Sequence, residues 1–215
     1  MELNMNLNLL DIIINLDIYL TYLINNYGTE AYLIIFLIIF CETGLVVAPF
    51  LPGDSMIFVL GALGASGKIN ILTIAGVIMT GAILGNMLNY QIGRWVGPKI
   101  FEKDTGRFLN KEYLLRTHAF FEKHGGKTIV IARFMPIIRT FAPFVAGIGQ
   151  MEYYRFTVYN IIGSVAWVLV CLAAGYSFGN IPVVEKHFTL IIVGIIFVSL
   201  IPAAVVSWRQ RKKSK

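Results

Sequence analysis

Residues 128–147 read TIVIARFMPIIRTFAPFVAG, and residues 50–66 read FLPGDSMIFVLGALGAS. Both are apolar enough to enter a bilayer, and both are interrupted. Pro136 and Pro143 break the one, with Arg133 and Arg139 around them and Gly147 at its end; Pro52 and Gly53 break the other, with Asp54 alongside. Proline removes a backbone donor and disfavours helix in the residue before it, which leaves carbonyls unpaired where no bulk water reaches. Such backbone survives at membrane depth only against protein or a wet cavity. Each segment is therefore expected to be a re-entrant hairpin, entering and leaving on one face, rather than a spanning helix.

The remainder of the chain supplies the membrane context. Of 215 residues, 57% are hydrophobic and only 14% are charged, whereas about a quarter of the residues of a soluble domain are charged. Four stretches approach or exceed the roughly 20 apolar residues that cross a hydrocarbon core: 31–48, 71–96, 156–178 and 190–208. The net charge of +6 does not indicate nucleic acid, because no Lys or Arg precedes Lys68 and most of the others fall in two blocks. These are Lys99 to Lys127 and the tail from Arg209 to Lys215, and the positive-inside rule puts both in the cytoplasm. They read as topology signals and anionic-lipid contacts rather than as a site for a specific partner. Cys41 and Cys171 lie in apolar runs with no His or Cys at ligand spacing, so neither a zinc site nor a disulfide framework is indicated. The N-terminus has no basic region or small-residue cleavage signal, and is read as unprocessed.

Residues 1–30 carry Asn8, Asp11, Asn15, Thr21 and Asn25 at roughly helical spacing among Leu, Ile and Tyr, the pattern of an amphipathic interfacial helix. A second amphipathic segment is expected over 111–124. Residues 31–208 form the membrane domain and 209–215 a basic cytoplasmic tail. With both basic blocks inside, the chain traces a hairpin and a following span twice, in opposite orientation. The fold class is thus an all-α polytopic membrane protein: about four transmembrane helices plus two opposed re-entrant hairpins in an inverted repeat. Secondary transporters share that plan, with sites at the midplane where broken helices meet. A faint echo agrees with it, since Gly93-x-x-x-Gly97 ends the second span and Gly175-x-x-x-Gly179 the third.

Four ionisable residues cannot be assigned to loops: Glu42, Asp54, Arg133 and Arg139. A charge at a helix centre costs about 3 kcal/mol on insertion scales, so four isolated ones would total roughly 12 kcal/mol. That rivals the folding free energy of a whole domain, about 5–15 kcal/mol. The four must be paired, hydrated or, for the acids, protonated. Glu42 reads as a proton carrier or as a buried structural hydrogen bond, though Gln would meet the structural need at lower cost. Asp54 reads as a proton site or as the cap of the helix after Pro-Gly. Arg133 and Arg139 flank a helix start, an arrangement suited to an anion such as phosphate or carboxylate; the alternative is a structural clamp on Glu42 and Asp54. Gly76, Gly81 and Gly85, with Asn86, Asn89 and Tyr90 a turn further on, mark a close-packing face that becomes polar toward Arg94. His118, His124 and His187 lie in or near interfacial segments and are given no role.

At these residues the sequence resembles the DedA family of bacterial membrane proteins (SNARE-associated or VTT-domain family). The motifs are Phe40-Cys41-Glu42-Thr43-Gly44-Leu45, Phe50-Leu51-Pro52-Gly53-Asp54, Gly85 with Asn89-Tyr90 and Gly93-Arg94, Ala132-Arg133-Phe134-Met135-Pro136 with Arg139-Thr140, and Pro143-Phe144-Val145-Ala146-Gly147. The resemblance covers roughly residues 8–208. It implies a lipid translocase, a flippase or scramblase for an anionic phospholipid or a polyprenyl phosphate such as undecaprenyl phosphate, driven by the proton motive force. The implied roles are proton coupling for Glu42 and Asp54 and lipid-phosphate recognition for Arg133 and Arg139. The implied partners are the lipid bilayer of the bacterial inner membrane, the phosphorylated lipid and protons, with no nucleic acid and no cofactor; a homo-oligomer is compatible with the pattern. A proton-coupled antiporter of a small ion or solute, or a non-transporting scaffold, would use the same charges differently. An enzyme is not expected, since the chain has no G-x-S-x-G elbow, no H-E-x-x-H and no acid or histidine cluster for a metal.

Overall fold

The computed structural model of the protein describes residues 16–45, 53–102 and 126–179, and its regular structure there is entirely α-helical. The helices are α1 (Leu16–Tyr27), α2 (Thr29–Gly44), α3 (Gly53–Ala65), α4 (Ile71–Glu102), α5 (Lys127–Ala132), α6 (Pro136–Ile148) and α7 (Tyr153–Gly179). Two of the expected spans are long apolar helices. Within α4, Ile71–Gly97 has a mean hydropathy of 1.9, and within α7, Tyr153–Phe178 has 2.0; both are long and apolar enough to cross a membrane. The first expected span corresponds to α2, whose 16 residues rise about 24 Å at 1.5 Å each, and its last residues, 46–48, lie outside the described ones. The fourth span, the segment 111–124, the three histidines, the tail 209–215 and Asn8, Asp11 and Asn15 also lie outside them. Of the N-terminal amphipathic segment, α1 is described: Leu16 and Leu20, one turn apart, are buried, and α1 packs against α3.

Local chemistry explains where the helices begin and end. Asn70 caps α4, its Oδ1 accepting from the Leu72 and Thr73 amides at 3.0 and 3.1 Å. The second proline-broken segment folds as helix, break, helix. After α5, the amides of Arg133, Phe134 and Met135 bond to carbonyls three residues back, Met135 is extended at φ −114°, ψ 106°, and Pro136 opens α6. This is the restriction that proline imposes on its predecessor, followed by the helix start that suits its fixed φ. Of the first broken segment only the limb after Pro52 is described, as α3. Both α3 and α6 end in the same cap. In α3 the Gly67 amide reaches Gly64 O and the Lys68 amide reaches Leu63 O; in α6 the Gln150 amide reaches Gly147 O and the Met151 amide reaches Ala146 O. Gly67 (φ 73°) and Gln150 (φ 53°) take the left-handed position that this double bond requires.

The described residues fall into two compact units, one of 16–35, 53–77 and 169–179, the other of 36–45, 78–102 and 126–168. In the first, α3 packs on the end of α7: a Cβ on Gly175 would overlap the Phe58 carbonyl, and one on Gly61 would meet Leu172 O and the Tyr176 amide. In the second, α6 packs on α4: a Cβ on Gly93 would overlap the Phe144 carbonyl, and one on Gly147 would overlap Tyr90 O and crowd the Arg94 amide. The contact is the same, made by Phe58-Val59-Leu60-Gly61 in one unit and Phe144-Val145-Ala146-Gly147 in the other. The echo of Gly93 and Gly175 therefore reflects a repeated packing arrangement. Gly81 and Gly85 pack α4 against α2, near Phe36 O and Phe40 O, whereas a Cβ on Gly76 would meet nothing within 4 Å.

Thermal melting of the purified protein in detergent checks this packing. Gly93→Val, which places side-chain atoms into the Phe144 backbone, is expected to cost about 1–3 kcal/mol or more. Gly76→Ala should be neutral or raise stability by up to about 1 kcal/mol through helix propensity, and equal losses at both positions would contradict the arrangement.

Candidate functional site

Three of the four ionisable residues singled out by the sequence meet in the second unit. Glu42 lies in the last turn of α2 and is fully buried. That turn comes close to α4 because Gly85 has no side chain where Thr43 Oγ1 and the Phe40 carbonyl lie. Arg139, one turn into α6, reaches across, and its Nη2 donates to Glu42 Oε1 in a salt bridge between partners 97 positions apart in sequence. Arg133 stands in the break between α5 and α6, 5% exposed, with Gly163 of α7 leaving room for its side chain. Asp54 sits half-buried in the first turn of α3, in the other unit, and Pro52 lies outside the described residues.

Amides complete the site. Asn160 of α7 is fully buried, and its Oδ1 accepts from Arg133 Nη2 at 2.9 Å, from Asn86 Nδ2 at 3.0 Å and from Ser164 Oγ at 3.5 Å. Its Nδ2 donates to Ile83 O at 3.1 Å. This partner set fixes the amide orientation, since the flipped form would set Nδ2 against two nitrogen donors. Asn89 works on backbone instead, its Nδ2 donating to Thr43 O at 3.1 Å and Thr140 O at 2.8 Å. The first carbonyl belongs to the end of α2, where helical partners run out. The second lies beside the Arg139 carbonyl, four residues before Pro143, which has no amide hydrogen to give it. One amide thus ties the two ends that carry Glu42 and Arg139.

Trp167 of α7 forms one wall of the site. The guanidinium carbons of Arg133 and Arg139 lie 5.8 and 5.0 Å from its ring centroid, within reach of cation–π attraction. Together with Thr43, Asn86 and Thr140, these three residues line a cleft of about 220 Å³, its open mouth included. At the other end of the unit, Tyr90 stacks on Phe156 with ring centroids 4.3 Å apart and donates its hydroxyl to Met151 O, which secures α4 to the start of α7. The sequence reading marked Asn86, Asn89 and Tyr90 as a polar face, named Thr43 and Thr140 only within motifs, and passed over Asn160, Ser164 and Trp167. An Asn-x-x-Gly-Ser run at 160–164 inside an otherwise apolar helix was the available signal, since an amide at that depth needs partners.

Comparison with known proteins gives consistent results. Residues 51–177 match the model of the VTT domain. The protein DedA of Escherichia coli (strain K12) is 49% identical over 206 residues, 95% of this chain and 94% of that protein. An uncharacterized membrane protein of Mycobacterium leprae is 44% identical over 171 residues, 80% of this chain and 77% of its own. The inner membrane protein YqjA of Escherichia coli (strain K12) is 32% identical over 187 residues, 84% and 85% of the two chains. No solved structure matches.

Removing either partner of the buried pair takes the salt bridge from the other. Glu42→Ala and Arg139→Ala are each expected to lose about 3–5 kcal/mol of stability, and the double variant less than the sum of the two. Additive losses in a melting-based double-mutant cycle would show that the pair contributes nothing as a pair.

Proposed function

The chain is a membrane protein of the DedA (VTT-domain) family, and from that premise we propose that it moves an anionic lipid, a phospholipid or polyprenyl phosphate, between leaflets in exchange for protons. The observation that carries this reading is the charge composition of the cleft. Two guanidiniums, Arg133 and Arg139, line it, and Arg139 is paired from behind with the Glu42 carboxylate. A lining that carries two guanidiniums and no carboxylate among the described residues favours an anion, and guanidinium forks suit phosphate oxygens in particular. Glu42 holds Arg139 as a phosphate would. A proton on Glu42 discharges the pair and frees Arg139 for the headgroup, while loss of the proton restores the pair and expels it. In this scheme Asp54 is a second proton site, working from the first broken segment.

The surroundings support a lipid over a soluble anion. The segment that carries both arginines also exposes Phe134, Met135, Ile138 and Phe141, an apolar flank for acyl chains while the headgroup enters the cleft. The depth of the cleft agrees. Trp95 and Tyr154 are strongly exposed near one end of α4 and α7, as in an interfacial aromatic belt. At 1.5 Å per residue, Asn89 lies about 9 Å and Trp167 about 20 Å further in, around the middle of a hydrocarbon core about 30 Å thick. Inverted repeats place transporter sites at that level, and the repeated packing of α3 on α7 and α6 on α4 is in keeping with two opposed re-entrant hairpins. The positive-inside rule then puts the C-terminus in the cytoplasm, and relatives named as inner membrane proteins support that membrane as the location.

Purified protein in liposomes, with labelled undecaprenyl phosphate and common phospholipids and with or without a proton gradient, tests the proposal. Wild type should flip a phosphorylated lipid faster with a gradient. Arg139→Lys, which keeps the charge but loses the fork, should forfeit most of that activity, and wild-type flipping by this variant would refute phosphate clamping. Uptake of a soluble ion in vesicles free of translocatable phosphorylated lipid would instead indicate an antiporter.

A further inference from the structure

The two arginines of the cleft are held in different ways. Arg139 is paired with a carboxylate, Glu42, that can take up a proton. Arg133 is held by a neutral group, the Asn160 amide oxygen, at 2.9 Å; no carboxylate pairs with it among the described residues, and its buried Nε has no hydrogen-bond partner there. The amide that holds it is itself constrained on every side, by Asn86, Ser164 and the Ile83 carbonyl. A carboxylate at position 160 would fit the same space and would bind a guanidinium more strongly, at the loss of the donor to Ile83 O. A neutral acceptor there orients the guanidinium without cancelling its charge.

We propose that Asn160 is a charge-neutral tether that positions Arg133 in the cleft, making Arg133 the standing contact for the anionic headgroup and Arg139 the contact that Glu42 releases. This rests on the lipid-phosphate reading above and adds a division of labour to it. Asn160 is a positioning residue, acting through Arg133. With Asp at 160, a carboxylate would cancel the charge of Arg133, and the attraction of that guanidinium for a further anion would be lost.

Binding of farnesyl phosphate to the purified full-length protein in detergent, with farnesol as the uncharged control, tests the assignment, alongside the melting temperature of each variant. Wild type should bind farnesyl phosphate in preference to farnesol. Asn160→Asp, which keeps the acceptor and gives up the bond to Ile83 O, should weaken phosphate binding about tenfold or more with a smaller drop in melting temperature than Asn160→Leu, and Asn160→Leu should weaken binding less. A purely structural Asn160 gives the opposite order, because Asp preserves shape and acceptor and Leu does not, and that order would overturn the proposal. Adding Glu42→Gln to Asn160→Asp returns the cleft to its original charge and should restore binding, now through Arg139; this double variant carries the test if Asn160→Asp alone is unstable, and failure of a folded double variant to bind also overturns it. Wild type that does not distinguish farnesyl phosphate from farnesol would refute the lipid-phosphate reading itself. Wild-type discrimination retained in Asn160→Asp would refute only the tether.

Discussion

The buried pair of Glu42 and Arg139 is the interaction on which the second unit is organised. A charge in an apolar surround must find a partner or be neutralised, and here the partners lie 97 positions apart in sequence, at the end of α2 and the start of α6. Several otherwise unrelated features serve to bring them together. Gly85 admits the last turn of α2 against α4, Pro136 ends one helix and starts the next so that Arg139 faces inward, and Gly93 and Gly147 let α6 lie against the α4 backbone. Replacing the pair with apolar residues of similar size would be neutral or stabilising in many proteins. Its presence at such a cost is an argument for use rather than for stability.

Much of this was readable in the sequence, because the rules concerned are local. A proline in an apolar run forces a break, and Met135, Pro136 and the start of α6 behave as that rule requires. Ionisable residues in apolar runs stand out against their surroundings, so Glu42, Arg133 and Arg139 were identifiable one at a time. Their pairing was not. Nothing in the neighbourhood of Arg139 says that it reaches Glu42 while Arg133 reaches Asn160, since that choice is made by the packing of α2, α6 and α7. Asn160 and Trp167 escaped notice for a related reason: neither carries a charge, and each is compatible with a membrane helix taken alone.

The repeated contact shows how two segments with different chemistry can share one frame. Phe58 and Gly61 meet α7 as Phe144 and Gly147 meet α4, and both short helices end in the same left-handed cap. Yet one segment carries an acid after its proline and the other carries two arginines. The backbone contact is what the two have in common, and the side chains at the breaks are where they differ. Gln150 illustrates how far the frame governs the sequence: it adopts the same positive-φ position as Gly67 despite having a side chain, at a cost glycine would avoid.

Asn89 has a kinetic consequence. Because its single amide ties the carbonyls of Thr43 and Thr140, the chain on either side of the salt bridge is fastened together next to the charges themselves. Glu42 and Arg139 can separate by side-chain rotation while that fastening holds, whereas pulling the two backbone segments apart would expose three polar groups at once. Rotamer changes occur on timescales far shorter than the microseconds to milliseconds of collective helix movement. In the proposed transport scheme, exchange of the arginine's partner and rearrangement of the helices are then separable events, and the turnover rate would be set by the second while the first equilibrates ahead of it.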